Sequence, residues 1–286
     1  MYPLFRLLSP FAVLFITACG GGSSAVSSGS VNTASPPEPA TPAVAAPPPV
    51  IPAADNAIQV LALYSESTSE IYADPPLRIA HLINVTNQLA ADSGVALDLQ
   101  LAHSSEVSYP DGFSMTEALE TLTLTTDPAF VDVPALREQY AADLVVLFRP
   151  YANDGLCGYA WVGGLNTEGD FSDPRQADYG FSTVAINCSD YTLAHEIGHN
   201  LGLAHSRRED PDGGSLAHGV GYGVDNGFVT IMASGNEFNA IKLPVLSSPS
   251  ALCQGEPCGV DRSNPTEGAD AVHALRVARD QVAAYR

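Results

Sequence analysis

The sequence is short of basic residues and of cysteine, and each shortage closes off a class of function. Across 286 residues, 12 lysines and arginines face 32 acidic residues, a formal net charge of −20. Nucleic acid and anionic lipid are both held by basic patches, so neither is expected as a partner. The acidity describes a solvated, soluble surface instead. Cysteine is scarce, five in all, and no C-x-x-C pair is present, which argues against a thiolate zinc site. The apolar stretch from Leu7 to Ile16 is too short to span a bilayer as an ordinary helix. What the length does allow is one large domain or two small ones, with room for a sizeable core.

The first residues read as a targeting segment, with Arg6 as the positive start and Leu7 to Ile16 as the apolar centre. Ile16-Thr17-Ala18-Cys19 resembles the lipobox of bacterial lipoproteins. That implies a signal peptide over residues 1–18, cleavage before Cys19, and lipid on its thiol. Gly20 in the next position resembles the pattern sorted to the Gram-negative outer membrane, so contact with membrane is expected through this anchor alone. Setting Cys19 aside leaves Cys157, Cys188, Cys253 and Cys258, an even set that suits an oxidising compartment and allows three pairings. Residues 19–56, rich in Gly, Ser, Ala and Pro, cannot bury enough surface to offset their ordering entropy and read as a tether. Fully extended, it would reach up to roughly 100 Å. Residues 57–286 are expected to form the folded domain, with an upper part to about 204 and a smaller lower part from about 205.

The stretch from Thr192 to His205 organises the rest. In a helix, His195 and His199 stand one turn apart on the same face, where both imidazoles can hold one metal ion. Glu196 stands beside that ion, placed to take a proton from the attacking water. Gly202 can adopt positive φ, end the helix and let His205 return as a third ligand. Three imidazoles with a fourth position open make a catalytic zinc site rather than a closed structural one. The extended pattern H-E-x-x-H-x-x-G-x-x-H is far more specific than its first five residues.

With these residues the sequence resembles the metzincin zinc endopeptidases, and His199-Asn200-Leu201-Gly202 is most like the adamalysin/reprolysin branch and its bacterial relatives. That branch usually has Asp after the third His; here it is Ser206, a departure that bears on the subfamily more than on the chemistry. The resemblance implies an α/β fold: a mixed five-stranded twisted sheet with an antiparallel edge strand, helices against it, and a smaller irregular C-terminal part ending in a helix. It implies that Gly158, Tyr159, Ala160, Trp161, Val162, Gly163 and Gly164 form that edge strand. An extended peptide would add itself there as a further strand, aligned by backbone groups near Gly163 and Gly164. Gly180 to Asn187 would be the neighbouring strand, which brings Cys157 within disulfide reach of Cys188. Cys253 and Cys258 would then close a small loop. Thr230-Ile231-Met232-Ala233-Ser234 resembles the Met-turn, with Met232 as an apolar floor under the imidazoles. Leu246-Ser247-Ser248-Pro249 resembles the outer wall of the pocket for the residue after the scissile bond. His81, His103, His218 and His273 are left as structural or cleft-lining residues.

Elsewhere local pattern suffices. Strands are expected over 57–64, 95–102 and 143–148, and a helix from Pro75 to Asp92 closed by Gly94. Ser114 and Glu117 form a capping box, Pro134 opens a short helix reaching Tyr140, and Thr266 to Tyr285 has an apolar helical face. Ser189 or Asp190 is the expected N-cap of the histidine helix. Strands separated by helical crossovers imply a largely parallel sheet. The function expected is a monomeric zinc-dependent endopeptidase of the bacterial cell envelope, with one zinc ion and nothing said about calcium. A surface binding module that keeps the fold and the zinc without cutting is the alternative.

Overall fold

The computed structural model describes residues 56–286. The expected signal peptide, the expected lipidation site at Cys19 and nearly all of the expected tether lie outside that range.

The first strand, β1 (Ile58–Ser65), is followed by a single helical turn, α1 (Thr68–Ile71), and by α2 (Pro75–Asp92). Asp74 accepts the Leu77 N–H at 3.0 Å, while the two prolines fill first-turn positions that need no donor. Ile79, Leu82, Ile83, Thr86, Leu89 and Ala90 recur at helical spacing and make the buried face. Gly94, at φ +82°, ends the helix. The second strand, β2 (Leu99–Val107), begins later than the alternation from Val95 suggests. Val95 N–H is still tied back to Ala90 O at 2.8 Å, and the Asn87 amide brackets Leu99, donating to its carbonyl and accepting from its N–H, both at 2.9 Å. Pairing with β1 starts at this point, where Ile58 N–H donates to Asp98 O at 2.8 Å and Ile58 lies opposite Leu99.

Next come α3 (Met115–Leu124), opened by the Ser114–Glu117 capping box, α4 (Val133–Gln139), and β3 (Leu144–Arg149), buried at all six positions. The edge strand β4 (Gly158–Ala160), the inner strand β5 (Phe181–Ala185) and the histidine helix α5 (Thr192–Asn200) follow. The rest carries only short elements before the last helix: β6 (Phe228–Val229), α6 (Gly235–Phe238), β7 (Ile241–Lys242), β8 (Leu252–Cys253), β9 (Glu256–Pro257) and α7 (Ala271–Val282). Asn264 Oδ1 holds the Thr266 and Glu267 N–H groups in a turn, and Asp270 caps His273 N–H at 3.1 Å, so α7 starts at Ala271 instead of Thr266.

The sheet order is β2-β1-β3-β5-β4, parallel except for β4, which runs antiparallel to β5. Alternation along β1 sends Ile58, Val60 and Ala62 to a core shared with α2, α5 and α7, and Leu61 and Leu63 to a second core under α3 and α4. Disulfides join Cys157 to Cys188, with Cα atoms 5.9 Å apart, and Cys253 to Cys258, at 5.1 Å. The first fastens the start of β4 to the loop that enters α5. Among the described residues no helix is long and apolar enough to cross a membrane.

Candidate metal centre

Helix α5 is held by its surroundings more than by its ends. The expected N-cap is absent: the boundary residue Tyr191 makes no side-chain cap. Ser189 Oγ accepts from Tyr191 N–H at 3.2 Å, and Asp190 is turned outward to Arg78 at 2.6 Å and His81 at 3.4 Å. What fixes the helix is burial of nearly its whole length and the Asn200 amide, which donates to Trp161 O and Phe181 O, each at 3.0 Å. At its far end Gly202 N–H bonds to His199 O at 2.8 Å and Leu203 N–H to Gly198 O at 2.9 Å, with Gly202 at φ +86°. This left-handed close reverses the chain and delivers His205.

The three imidazoles converge. Nε2 of His199 lies 3.1 Å from Nε2 of His195 and 3.2 Å from that of His205, and the latter two are 3.2 Å apart. Each Nδ1 faces an acceptor: Ile231 O at 2.9 Å for His195, Leu203 O at 2.8 Å for His199, and Asp210 Oδ2 at 3.0 Å for His205. Those partners place the proton on Nδ1 and turn three Nε2 lone pairs toward one point. Three lone pairs this close repel unless a cation lies between them, and tetrahedral ligands at zinc–nitrogen distances would be about 3.3 Å apart. The donor set therefore fits a zinc ion. Burial holds His195 well below the ordinary imidazole range and His199 down at about 4, which keeps both rings neutral. His81, His103, His218 and His273 stand elsewhere: His103 stacks on Tyr140 at 4.1 Å, and His218 and His273 pair at 2.9 Å.

Below the rings, Met232 is fully buried, and a Cβ on Gly198 would meet its Sδ at 2.7 Å. The absence of a side chain at 198 is what lets the thioether approach the helix between the two ligands. Ser206 stands where the family pattern has Asp, and the carboxylate comes from three residues on. Glu209 Oε2 accepts from Ser206 Oγ at 2.7 Å and from the N–H groups of Ser206 at 3.3 Å and Ser234 at 3.2 Å.

Glu196 is buried beside the imidazoles at the wall of a cavity of about 530 Å³. Burial pushes its carboxyl up to about 8, against the pull of the Lys242 ammonium. A Cβ placed on Gly158 would lie 2.7 Å from Glu196 Cγ and Cδ, so the edge strand rests directly against this carboxylate. Cys157 O and Trp161 N–H point to β5, and Tyr159 pairs with Thr183. By alternation, the backbone groups of Gly158, Ala160 and Val162 face away from the sheet, and all three residues line the cavity. Gly163 and Gly164 do not serve this edge, contrary to expectation: their N–H groups donate to His199 O and Gln176 Oε1, both at 2.9 Å. Trp161 turns its indole away to Thr123 Oγ1 at 2.8 Å.

A match to the profile of the metallopeptidase family M12B, reprolysin-like, runs over residues 57–263. The chain belongs to that family. Curated relatives named peptidyl-Asp metalloendopeptidase share 32% identity in Pseudomonas aeruginosa, over 82% of this chain and 41% of that protein, and 30% in Xanthomonas campestris pv. campestris, over 60% and 39%. The chain thus spans about two fifths of the length of these two relatives. A solved structure described as a chaperone–substrate complex is similar in fold, with a TM-score of 0.60 at 24% identity over 81% of this chain and 39% of that one.

Of the wall expected at Leu246 to Pro249 in this reprolysin-like chain, no residue lines the cavity. Leu246, Ser247 and Ser248 are buried, and Ser247 Oγ bonds to Val220 O at 2.6 Å and Ala271 N–H at 2.9 Å. Lys242, earlier in the same segment, reaches the cavity instead. The signal that could have found it is plain in the sequence: it is the only lysine in the chain.

Proposed function

We propose that the protein is a zinc-dependent endopeptidase, with His195, His199 and His205 holding the ion and Glu196 as general base. The observation that carries this is the convergence of three Nε2 atoms within 3.2 Å beside a buried carboxylate in an open cleft. When bound, zinc supplies a Lewis acid that polarises a peptide carbonyl and acidifies a water. The chain's own residues do the rest. Gly158, Ala160 and Val162 offer outward backbone groups that an extended peptide pairs with, which holds its carbonyl in the cleft. Glu196 takes the proton of the attacking water on its carboxylate and hands it to the leaving amine. The name of the relatives, peptidyl-Asp metalloendopeptidase, supports extending the reading to peptides cut beside Asp. Export with a lipid on Cys19, at the outer membrane, is part of the same proposal. The lipobox-like residues support it, and two disulfides are in keeping with an oxidising compartment.

The test is cleavage of a peptide library by the full chain, with zinc measured in the same samples. E196Q is expected to bind zinc as the parent does and to lose about 10²- to 10⁴-fold in kcat. A zinc-loaded E196Q that cleaves at the parent rate would remove Glu196 from its role, and a parent protein unaffected by chelation would remove the metal.

A further inference from the structure

We propose that Lys242 is the specificity-determining residue of the cleft, its ammonium receiving the carboxylate of an acidic substrate residue beside the scissile bond. The inference rests on the peptidase reading above and adds to it the group that reads the substrate.

The chain has a single lysine against 11 arginines. Where the fold needs a surface cation it uses arginine, as in Arg78–Asp190 and Arg208–Asp225, both at 2.6 Å. The lone lysine lies in the catalytic cavity, where it is the only cationic side chain of the lining. Its backbone is fixed by pairing of β7 with β6, Val229 opposite Lys242. Its Nζ turns inward and donates to Ile231 O at 3.0 Å, the same carbonyl that takes the His195 Nδ1 proton at 2.9 Å. The ammonium therefore sits one peptide carbonyl from a metal ligand, beside the place where a scissile bond must lie.

Among the described residues no carboxylate lies within 4.0 Å of Nζ, and two of its three N–H donors remain open. The acids around it are committed elsewhere: Glu209 to Ser206 and Ser234, Asp210 to His205, Glu196 to proton transfer. Lys242 is an exposed residue, but its ammonium is partly desolvated where it faces the cleft, which pulls its pKa down while Glu209 and Glu196 push it back up. In a chain of net charge −20, an acidic peptide is repelled by most of the surface. As the one Lys or Arg side chain of the cavity lining, Lys242 gives such a side chain a charge-assisted hydrogen bond there. Lysine, a point charge on a flexible stem, suits a single small carboxylate arriving at variable angle.

The experiment compares peptides that differ only in Asp, Asn or Ala at each position flanking the cut, with products sequenced to locate the bond. The zinc-loaded parent is expected to favour Asp over Asn by roughly 10- to 100-fold in kcat/KM. K242Q should bring that ratio to within about threefold of one, at unchanged zinc content and melting temperature, and K242R should restore most of it. A second readout needs no turnover. Amine acylation with peptide mapping follows Lys242 apart from the chain's amino terminus. A product peptide carrying the Asp should slow acylation in zinc-stripped protein, and its Asn counterpart should not. If K242Q lowers cleavage of Asp and Asn peptides alike and leaves their ratio in place, Lys242 is a structural or electrostatic support and the inference falls while the peptidase reading stands. If the zinc-loaded parent cleaves no peptide at all, the peptidase reading falls first and takes this one with it.

Discussion

The sharpest prediction concerns Gly158, whose missing side chain leaves room for the Glu196 carboxyl, the proposed general base. A methyl group there would lie 2.7 Å from Glu196 Cγ and Cδ. Carbon atoms meet comfortably at about 3.5–4.0 Å, so one partner must retreat by roughly 1 Å. The strand cannot be the one to yield. Ala185 N–H holds Cys157 O at 2.7 Å, Trp161 N–H holds Phe181 O at 3.4 Å, and the Cys157–Cys188 bridge ties down the entry to β4. The carboxylate is what moves, and a displacement of that size in a positioned base costs about 10²-fold in kcat/KM, or about 2.7 kcal/mol of barrier. Folding should not suffer, because alanine is the better strand residue. G158A and parent are compared on one peptide, with zinc content and melting temperature alongside, and G112A serves as control, since a Cβ there meets nothing within 4 Å. A fully zinc-loaded G158A within threefold of the parent would refute the claim that this close approach sets the position of Glu196.

Other outcomes follow from the same contacts. D210N should weaken zinc binding by about 10- to 100-fold, because Asp210 holds both His205 Nδ1 at 3.0 Å and His205 N–H at 2.8 Å; competitive chelation titration reads it. Asp143 is buried and its carboxyl is pushed up to about 6, mainly by desolvation. A folded-state pKa above the unfolded one means the native state holds the proton longer, so stability falls as pH rises from about 4 to about 6, by about 3 kcal/mol at most. Urea midpoints across that range should show the decline, and D143N should flatten it.

Much of this could be read before any coordinates, for identifiable reasons. The zinc triad was legible because its geometry is local: His195, His199, Gly202 and His205 are positioned by one helix and its closing turn. The sheet was legible because β1 and β3 are apolar runs of strand length and the two longer helices between them, α2 and α3, carry their own caps. What escaped depended on partners distant in sequence. Nothing near Val95 says that Asn87 will delay β2, and nothing in Gly163-Gly164 says that its donors go to His199 and Gln176. Asp190 reads as a cap until Arg78, 112 residues away, takes its carboxylate. Lys242 was missed because a lone charge in a short strand has no pattern, and only its rarity marks it.

Glu209 joins the loop bearing the third histidine to the segment just past Met232, so that segment and one corner of the metal cage are a single piece. A hinge that moved the segment past Met232 would carry His205 with it and disturb the cage. A ligand that pushed on that segment would loosen the metal cage from a distance, without entering the groove.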